Sequence, residues 1–421
     1  MNYFLFLVYG VLLCWLVTRV PFMRRSGLSG RMLLLLFAAK LLAGVAIGWL
    51  SLHFYSTGND YWDVNRDAWK EYQLLLNHPG EYFTNLFSSG YAKGYGGVFD
   101  SFQSFWNDLR NNLVIKLVSV FNIFSRGDYY INSLFFNFII FFGHVALYRL
   151  FCALLPGREK WVILGCFLLP STLYFTSGIH KDGIVFLLLA LIIYGVYFAL
   201  KKGRLGPLKL VQLLVMAALL FLVRNFVLLV LIPALAAWVL AARSKWPALY
   251  CFLGVYLVAG LLLFNISAVA PGIDPLATVV QKQADFLLLP HSATSIPLTP
   301  LQPSFKSFVF NMPEALNHLL LRPYIFELPS RILLPMNIEL LVYQLLFLVF
   351  LFFGFRQRLP VREPFYYFVL FFVLTVFLFI GYIVPNLGSL VRYRSLYLPL
   401  LITPLLGLIN WQKLKNVIKL K

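Results

Sequence analysis

Long apolar runs separated by short polar segments make up most of this chain. A transmembrane helix needs about 20 apolar residues, and by that criterion the pattern predicts about eleven spans. These are 3–20, 32–54, 131–152, 160–177, 182–200, 207–223, 225–243, 247–266, 338–355, 365–385 and 395–411. The pattern therefore predicts an all-α polytopic membrane protein that forms a single transmembrane domain over 1–421.

Two polar segments, 55–130 and 267–336, are too long to be simple connections between helices. In the first, apolar positions at helical spacing over Asn112–Phe124 predict a helix lying in the membrane interface. A glycine- and tyrosine-rich stretch, Gly90–Gly97, predicts a flexible loop. The second segment holds ten of the 22 prolines, so it predicts short surface helices such as Ser304–Leu321.

The basic residues between the predicted spans indicate the direction of the chain. Most of them fall on one side, at Arg24/Arg25/Arg31, Arg158/Lys160, Lys201/Lys202/Arg204, Arg243/Lys245, Arg356/Arg358/Arg362 and Lys413–Lys421. Since cytoplasmic loops are enriched in Lys and Arg, that side is predicted to be cytoplasmic. The amino terminus is then outside and the carboxyl terminus inside. Only two acidic residues, Glu159 and Glu363, fall on the cytoplasmic side, so chemistry is expected at the outer face.

Composition supports the membrane assignment. The 421 residues are 61% hydrophobic and only 12% charged, a ratio that a soluble protein could not keep without large exposed apolar patches. The net charge of +19 fits basic cytoplasmic loops and anionic lipid, and it does not require a nucleic-acid partner. The four cysteines lie in apolar runs and predict neither a disulfide nor a metal site. Because the basic cluster Arg19–Arg31 follows the first apolar run, that run is interpreted as a retained helix and not as a cleaved signal.

The stretch Gly58–Tyr72 concentrates four of the 16 acidic residues in fifteen positions. If it is helical, Asp60, Asp63 and Asp67 share one face. A carboxylate where the chain leaves a membrane is suited to accept a proton from a sugar hydroxyl or to hold a divalent cation. The alternative is an ordinary polar loop.

A second polar stretch, Pro170–Gly183, joins two apolar segments and carries Ser177, His180, Lys181 and Asp182. Polar groups at membrane depth are costly unless they line a wet cavity or pair with each other. Lys181 could meet a phosphate. The alternative is a helix hairpin in which Lys181 and Asp182 neutralise each other.

A third feature is a set of arginines on the predicted outer side: Arg224, Arg322, Arg331, Arg392 and Arg394. Guanidinium groups match phosphate oxygens bidentately, so these residues indicate a phosphate or pyrophosphate ligand. The alternatives are lipid headgroups or ion pairs with Glu314, Glu327 and Glu339. His144 lies within an apolar run and is interpreted as a hydrogen-bonded core residue.

The chain contains no CxxC, HExxH, Walker or GxSxG motif. Zinc proteases, P-loop ATPases and α/β-hydrolases are therefore disfavoured.

Two motifs resemble those of the C-type glycosyltransferase superfamily, whose members use polyprenyl-phosphate-linked sugars. Gly58-Asn59-Asp60 followed by Ala68 resembles their acidic motif, and Arg392-Tyr393-Arg394 followed by Leu398-Pro399-Leu400 resembles the start of a late helix. The segments 170–182 and 321–327 are also similar to motifs of bacterial polysaccharide-cluster membrane proteins. The chain departs from the superfamily in having two predicted helices before the acidic motif and Asn59 where a second acid often stands.

The resemblance implies a glycosyltransferase of the bacterial inner membrane, with a polyprenyl-linked sugar donor and a glycan or lipid acceptor. Asp60, with Asp63 in reserve, would be the catalytic base. The donor phosphate would be bound by Lys181, Arg392, Arg394 and Arg224. Further substrate contacts would come from Ser177, His180, Asp182, Arg322, Glu327 and Tyr393. No metal or other cofactor is indicated.

Three other functions stay open at this stage. The nearest is an oligosaccharide repeat-unit polymerase or ligase, which would depend on arginines and need no loop carboxylate. A flippase or transporter for lipid-linked glycans would guide an anionic headgroup past Arg224, His144 and 177–182. A non-catalytic assembly scaffold is the third.

Overall fold

A computed structural model describes residues 2–54, 59–87, 105–270, 272–290, 292, 294–327, 334–354 and 363–419. These residues form helices, turns and loops, with two isolated β-bridges. The predicted loop Gly90–Gly97, the basic cluster Arg356–Arg362, Gly58 and Arg331 lie outside the described residues.

Nineteen α-helices occur in the described part of the chain. They are α1 Tyr3–Arg19, α2 Pro21–Arg24, α3 Gly30–Phe54, α4 Asp60–Asn77, α5 Pro79–Thr84, α6 Phe105–Ser125, α7 Tyr129–Leu154, α8 Glu159–Phe167, α9 Pro170–Phe175, α10 Lys181–Lys201, α11 Pro207–Arg243, α12 Ala248–Val269, α13 Pro275–Leu287, α14 Phe305–Leu320, α15 Leu334–Phe353, α16 Pro364–Ile383, α17 Leu387–Ser395, α18 Leu398–Leu408 and α19 Trp411–Lys419. Many begin with a recognisable signal, for example Ser304 and Asn386 as N-caps or Pro170 and Pro364 in the first turn.

Seven helices of the described residues are long and apolar enough to cross a membrane: α3, α7, α10, α11, α12, α15 and α16. Six of these helices each coincide with one predicted span, and the seventh, α11, covers two predicted spans. The outward sides of several are almost wholly apolar, and the most apolar window of α12 is only 6% buried. Such a surface is stable against lipid and not against water. The all-α membrane class is therefore confirmed.

The count of eleven spans is not confirmed, because five predicted spans do not correspond to single long helices of their own. A continuous helix over 160–177 is wrong: the chain breaks before Pro170 into α8 and α9. The spans 207–223 and 225–243 lie in one helix, α11, in which Arg224 leaves helical geometry at φ −155° and ψ 82°. The first span, α1, has 17 residues, and the last is reduced to the 11-residue α18.

The chain divides into two compact units. Unit 1 comprises the described residues of Met1–Leu154 and Cys166–Asn225, and unit 2 those of Leu155–Gly165 and Phe226–Lys421.

Unit 1 is built around α7, which packs against α10, α3 and α1. Small residues allow these helices to approach closely. A methyl group at Gly143 of α7 would lie 3.1 Å from the Leu187 backbone of α10. In lipid, where apolar burial gives little driving force between helices, such close packing is what holds helices together. The amphipathic α4 packs on α6, whose side chains Leu109, Val114 and Val118 are buried.

The predicted helix Asn112–Phe124 is thus part of a longer helix, α6, that covers α4. A helix over the predicted range Ser304–Leu321 is present as α14, with Ser304 as its N-cap.

In unit 2, α14 packs on α16 with Gly381 against the Ala315 backbone. Gln283 of α13 ties the same region together, because its side chain donates to the Tyr382 and Thr299 carbonyls and accepts from the Leu301 amide. The loop 294–304 and the helices α13, α14 and α16 form one connected body in this unit.

Candidate functional site

The segment between α9 and α10 in unit 1 forms a compact turn that carries much of the predicted chemistry. His180 is the N-cap residue of α10, and its Nδ1 lies 3.3 Å from the Asp182 amide nitrogen. A side chain at Gly178 would meet the ring of Tyr61 at 2.5 Å, so only glycine lets α4 pack this closely on the turn.

The first turn of α4 is fixed by two aromatic residues that follow Asp60. Tyr61 is buried against Gly178. Trp62 stacks on Tyr129 with ring centroids 4.4 Å apart and donates its indole N–H to the Gly48 carbonyl at 3.0 Å. These contacts hold the start of α4 alongside α3 and leave Asp60 over the turn.

Asp60, His180, Asp182 and Arg224 form a continuous chain of charged and polar side chains, which we call the acid–base cluster. The Asp60 carboxylate lies 3.7 Å from His180 Nε2, and its side chain is 51% exposed. His180 Nδ1 lies 3.0 Å from Asp182 Oδ2. Asp182, whose side chain is 1% exposed, forms a 2.7 Å ion pair with Arg224. The chain thus leads from a solvent-accessible carboxylate to a buried ion pair.

The backbone break at Arg224 explains how that residue reaches Asp182. Pro207–Val223 rises about 25 Å at the usual 1.5 Å per residue, which returns the chain to the level at which α10 began. There the helix opens at Arg224, whose side chain is 5% exposed. A buried carboxylate is tolerated only with such a partner. The structure therefore gives Arg224 the role of counter-ion to Asp182.

Asp63 and Asp67 lie on the predicted helix but outside the acid–base cluster. Asp63 pairs with Arg66 and Asp67 with Lys70, each at 2.8 Å, and all four side chains are largely exposed. Exposed pairs of this kind contribute little. The helical face predicted for the three aspartates is present, yet only Asp60 meets His180.

Lys181 and Ser177 take different positions around the turn. Lys181 begins α10 and is half-buried next to His180 in sequence. Ser177 is fully buried, and its hydroxyl accepts a hydrogen bond from Lys40 at 3.1 Å.

Lys40 is a residue that the sequence argument overlooked. It lies near the middle of α3, is 1% exposed, and donates to the Thr176 carbonyl, the Thr176 hydroxyl and the Ser177 hydroxyl at 3.0–3.2 Å. A single lysine inside a 25-residue apolar helix is itself the signal, because an ionisable residue at that depth is expensive.

The remaining predicted residues belong to unit 2. Arg322 and Glu327 form a bidentate pair with Nε–O distances of 3.0 and 3.2 Å, and the Tyr324 amide donates to the same carboxylate. Burial alone would raise the pKa of Glu327, but the Arg322 and Tyr324 hydrogen bonds outweigh it and hold that pKa below its usual value. This matches the ion-pair alternative considered for Arg322.

Arg394 is buried, and its guanidinium donates to the Leu319 and Arg322 carbonyls at 2.9 and 2.8 Å. It thereby satisfies carbonyls at the end of α14. Burial lowers the pKa of Arg394 to about 10, although Glu339 and Tyr343 act in the opposite sense. Arg392 and Tyr393 are half-buried on the same helix, with the Arg392 guanidinium 5.8 Å from the Tyr393 ring.

Within the described ranges, no group of three or more His, Cys, Asp or Glu side chains is arranged to hold a metal ion. No protein-family model, curated protein or solved structure matches the chain.

Proposed function

We propose that this protein is a membrane glycosyltransferase that transfers a sugar from a polyprenyl-phosphate or -pyrophosphate donor to a glycan or lipid acceptor. We place the reaction at the outer face of a bacterial inner membrane, with the amino terminus outside. The observation that carries the proposal is the acid–base cluster, in which an accessible carboxylate contacts a histidine backed by a buried carboxylate.

In the proposed reaction, Asp60 accepts the proton of the acceptor hydroxyl as that oxygen attacks the anomeric carbon. The bond from that carbon to the donor phosphate oxygen breaks at the same time. His180 Nε2, at 3.7 Å, is near enough to stabilise the charge of the Asp60 carboxylate. Asp182 holds the His180 ring through Nδ1 and favours its positive form, as the third member of a catalytic triad does.

The leaving phosphate requires a cation, and in unit 1 we assign this role to Lys181. Arg224 is engaged with Asp182, so we move it from phosphate binding to support of the cluster. Arg394 is likewise left out, because its guanidinium serves backbone carbonyls. Arg392 is kept as a separate candidate to be tested by substitution.

The test is transfer from lipid-linked sugars by purified Asp60→Asn protein. We expect at least a 100-fold loss of rate, the usual contribution of a positioned general base. Asp63→Asn is the matched control, since Asp63 is on the same helix, equally exposed and remote from His180. Wild-type activity in folded Asp60→Asn protein would remove Asp60 from the mechanism.

The product separates transfer of one sugar from repeat-unit polymerisation. A polymerase would yield ladders of repeat units and would lose activity with Arg392→Ala while tolerating Asp60→Asn. Loss with Asp60→Asn and a single-step product supports the transferase.

Lys40 favours a second candidate, a transporter of lipid-linked glycans, because ionisable groups buried at mid-span are typical of transport pathways. Movement of a labelled lipid-linked glycan across vesicles without a covalent product would support this candidate against the transferase.

A further inference from the structure

Two ionisable side chains in the core of unit 1 are joined through one hydroxyl group. Lys40 Nζ lies 3.0 Å from Thr176 Oγ1, and the same oxygen lies 3.4 Å from His144 Nε2. Lys40 and His144 are each 1% exposed. They lie at similar depth, since each is about 21–23 Å of helix from the end that adjoins α4.

The hydrogen bonds of Lys40 require an ammonium group. The Thr176 hydroxyl donates to the Thr172 carbonyl at 2.7 Å, and the Ser177 hydroxyl donates to the Leu173 carbonyl. Both oxygens, and the Thr176 carbonyl, therefore act as acceptors toward Lys40. Three acceptors match the three N–H groups of a protonated lysine, whereas a neutral amine has only two.

The hydrogen bonds of His144 determine its tautomer. Its Nδ1 lies 2.6 Å from the Cys166 carbonyl, which can only accept, so Nδ1 carries a proton. A neutral His144 then presents the lone pair of Nε2 toward the Thr176 hydroxyl. The histidine is thus prepared to receive a proton from the side on which Lys40 lies.

Among the residues that the structure describes, no carboxylate lies within 4 Å of the Lys40 ammonium group. An unpaired charge in the membrane core costs several kcal/mol, and a second positive charge one hydroxyl away would add repulsion. Lys40 and His144 can therefore carry one positive charge between them, and not two.

Other ionisable side chains are carried by the elements packed on α3. They are Tyr3, Tyr9, Cys14 and Arg19 on α1; Tyr129, Tyr130, Tyr148, Arg149 and Cys152 on α7; Tyr174 on α9; His180 in the turn; and the acidic and basic residues of Asp60–Tyr72 on α4. His144, on α7, shares a hydrogen-bonded hydroxyl with Lys40.

We propose that Lys40, Thr176 and His144 form an intramembrane binding site for a single proton. In one state the proton is on Lys40. In the other, the Thr176 hydroxyl has turned from the Thr172 carbonyl and passed its proton to His144 Nε2, while Oγ1 has taken a proton from Lys40; this leaves a neutral amine and an imidazolium. No other reactant is needed.

The site bears on the acid–base cluster through the chain itself. Thr176 and Ser177, which hold Lys40, are followed by His180 and Asp182 in the same turn. When Lys40 loses a proton, one of its three contacts to Thr176 and Ser177 is lost. Protonation of the site thus changes how firmly the turn is held. The proposal does not depend on the sugar-transfer function.

The test is nitrogen NMR of histidine in full-length protein labelled with ¹⁵N-histidine and held in lipid nanodiscs. The His144 signals are assigned by their disappearance in His144→Gln. In wild-type protein between about pH 5 and 8, the range in which histidine ordinarily titrates, we expect a neutral ring protonated at Nδ1. In Lys40→Met, which removes the neighbouring positive charge, His144 should become protonated at a higher pH than in wild-type protein.

Lys40→Arg provides the matched control, because arginine keeps the positive charge and His144 should then stay neutral. Equal titration of His144 in wild type and Lys40→Met would overturn the proposal. If Lys40→Met does not fold, the nitrogen spectra of wild-type protein alone test the proposal. Two results would contradict a one-proton site. One is a neutral His144 ring that is protonated at Nε2 alone. The other is a His144 imidazolium near pH 7 in protein whose ¹⁵N-labelled lysine signal shows that Lys40 is charged as well.

Discussion

Asp182 and Arg224 form a buried ion pair at the one point where α11 leaves helical geometry. The break and the pair depend on each other. The open backbone at Arg224 brings the guanidinium to Asp182, and the carboxylate in turn gives the buried guanidinium a counter-charge. His180 contacts this pair through Asp182, and Asp60 lies 3.7 Å from His180.

The Asp182–Arg224 pair is the first subject for measurement. Arg224→Leu leaves the buried Asp182 carboxylate without its guanidinium counter-ion, so it should destabilise the protein by about 3–5 kcal/mol. Replacing both residues by leucine should cost less than the sum of the two single changes. Reversible unfolding in mixed detergent micelles measures all three variants. Additive costs would show that the two side chains do not interact.

Gly178→Ala tests whether contact between α4 and the turn positions Asp60. The new methyl group would lie 2.5 Å from Tyr61 Cε1 and 3.0 Å from Ile47, so the Tyr61 ring must move. We expect a cost of about 1–3 kcal/mol, as for overpacked cores, together with a loss of transfer activity.

Gly254→Ala is the control for that substitution, because nothing lies within 4 Å of a methyl group at Gly254. It should leave activity unchanged and stabilise the helix by up to about 1 kcal/mol. Similar behaviour of the two variants would mean that the close approach of Tyr61 to Gly178 has no consequence.

A buried amide network connects α4, α6 and α7 below the acid–base cluster. Asn132 donates to Asn65 at 2.8 Å and to Asn122 at 2.6 Å, and Asn65 donates to the Gly127 carbonyl. Asn132→Leu removes the central donor and leaves the buried Asn65 side-chain oxygen without its hydrogen bond, which should cost about 1–3 kcal/mol.

Amide hydrogen exchange of α4 is expected to quicken in the same variant, because α4 loses an anchor to α7. Asn265→Leu is the control, since Asn265 lies on the exposed side of α12 and donates only within its own helix. Unchanged exchange in α4 would contradict the anchoring role of Asn132.

Acid should destabilise unit 2 through His318 and Glu327. Burial and the Arg322 charge lower the pKa of His318 from 6.5, against the opposing effects of Glu314, the Gly381 backbone and Glu327. The unfolded chain then binds a proton more readily than the folded one, so stability falls as pH drops below about 6.5. The pKa of Glu327 is also lowered, from 4.5. Its ionised carboxylate therefore stabilises the folded protein above about pH 4.5, and this stabilisation is lost as the pH falls below that value.

Thermal unfolding from pH 8 to pH 4 measures this dependence. His318→Gln should flatten the part of the curve near pH 6, and Glu327→Gln the part below about 4.5. A curve for His318→Gln that parallels the wild type through pH 6 would exclude His318 as the source.

Local and compositional signals were sufficient for the membrane class, for most long helices and for the helical face of Asp60, Asp63 and Asp67. A lipid-facing helix must be apolar around much of its surface and must satisfy its backbone internally, and both requirements are visible in consecutive residues. The break before Pro170 was also within reach, since proline is favoured in the first turn of a helix.

Contacts between distant residues could not be obtained in this way. No local rule indicates that Lys40 meets Thr176, that Asp60 meets His180, or that Arg394 serves the end of α14. Each depends on which helices pack together and at what rotation, and close approach at glycines such as Gly178 decides this. The sequence by itself determined that the chain lies in a membrane and where most helices run. Only the tertiary structure decided which charges are paired, because a buried charge takes its partner from whichever element packing brings beside it.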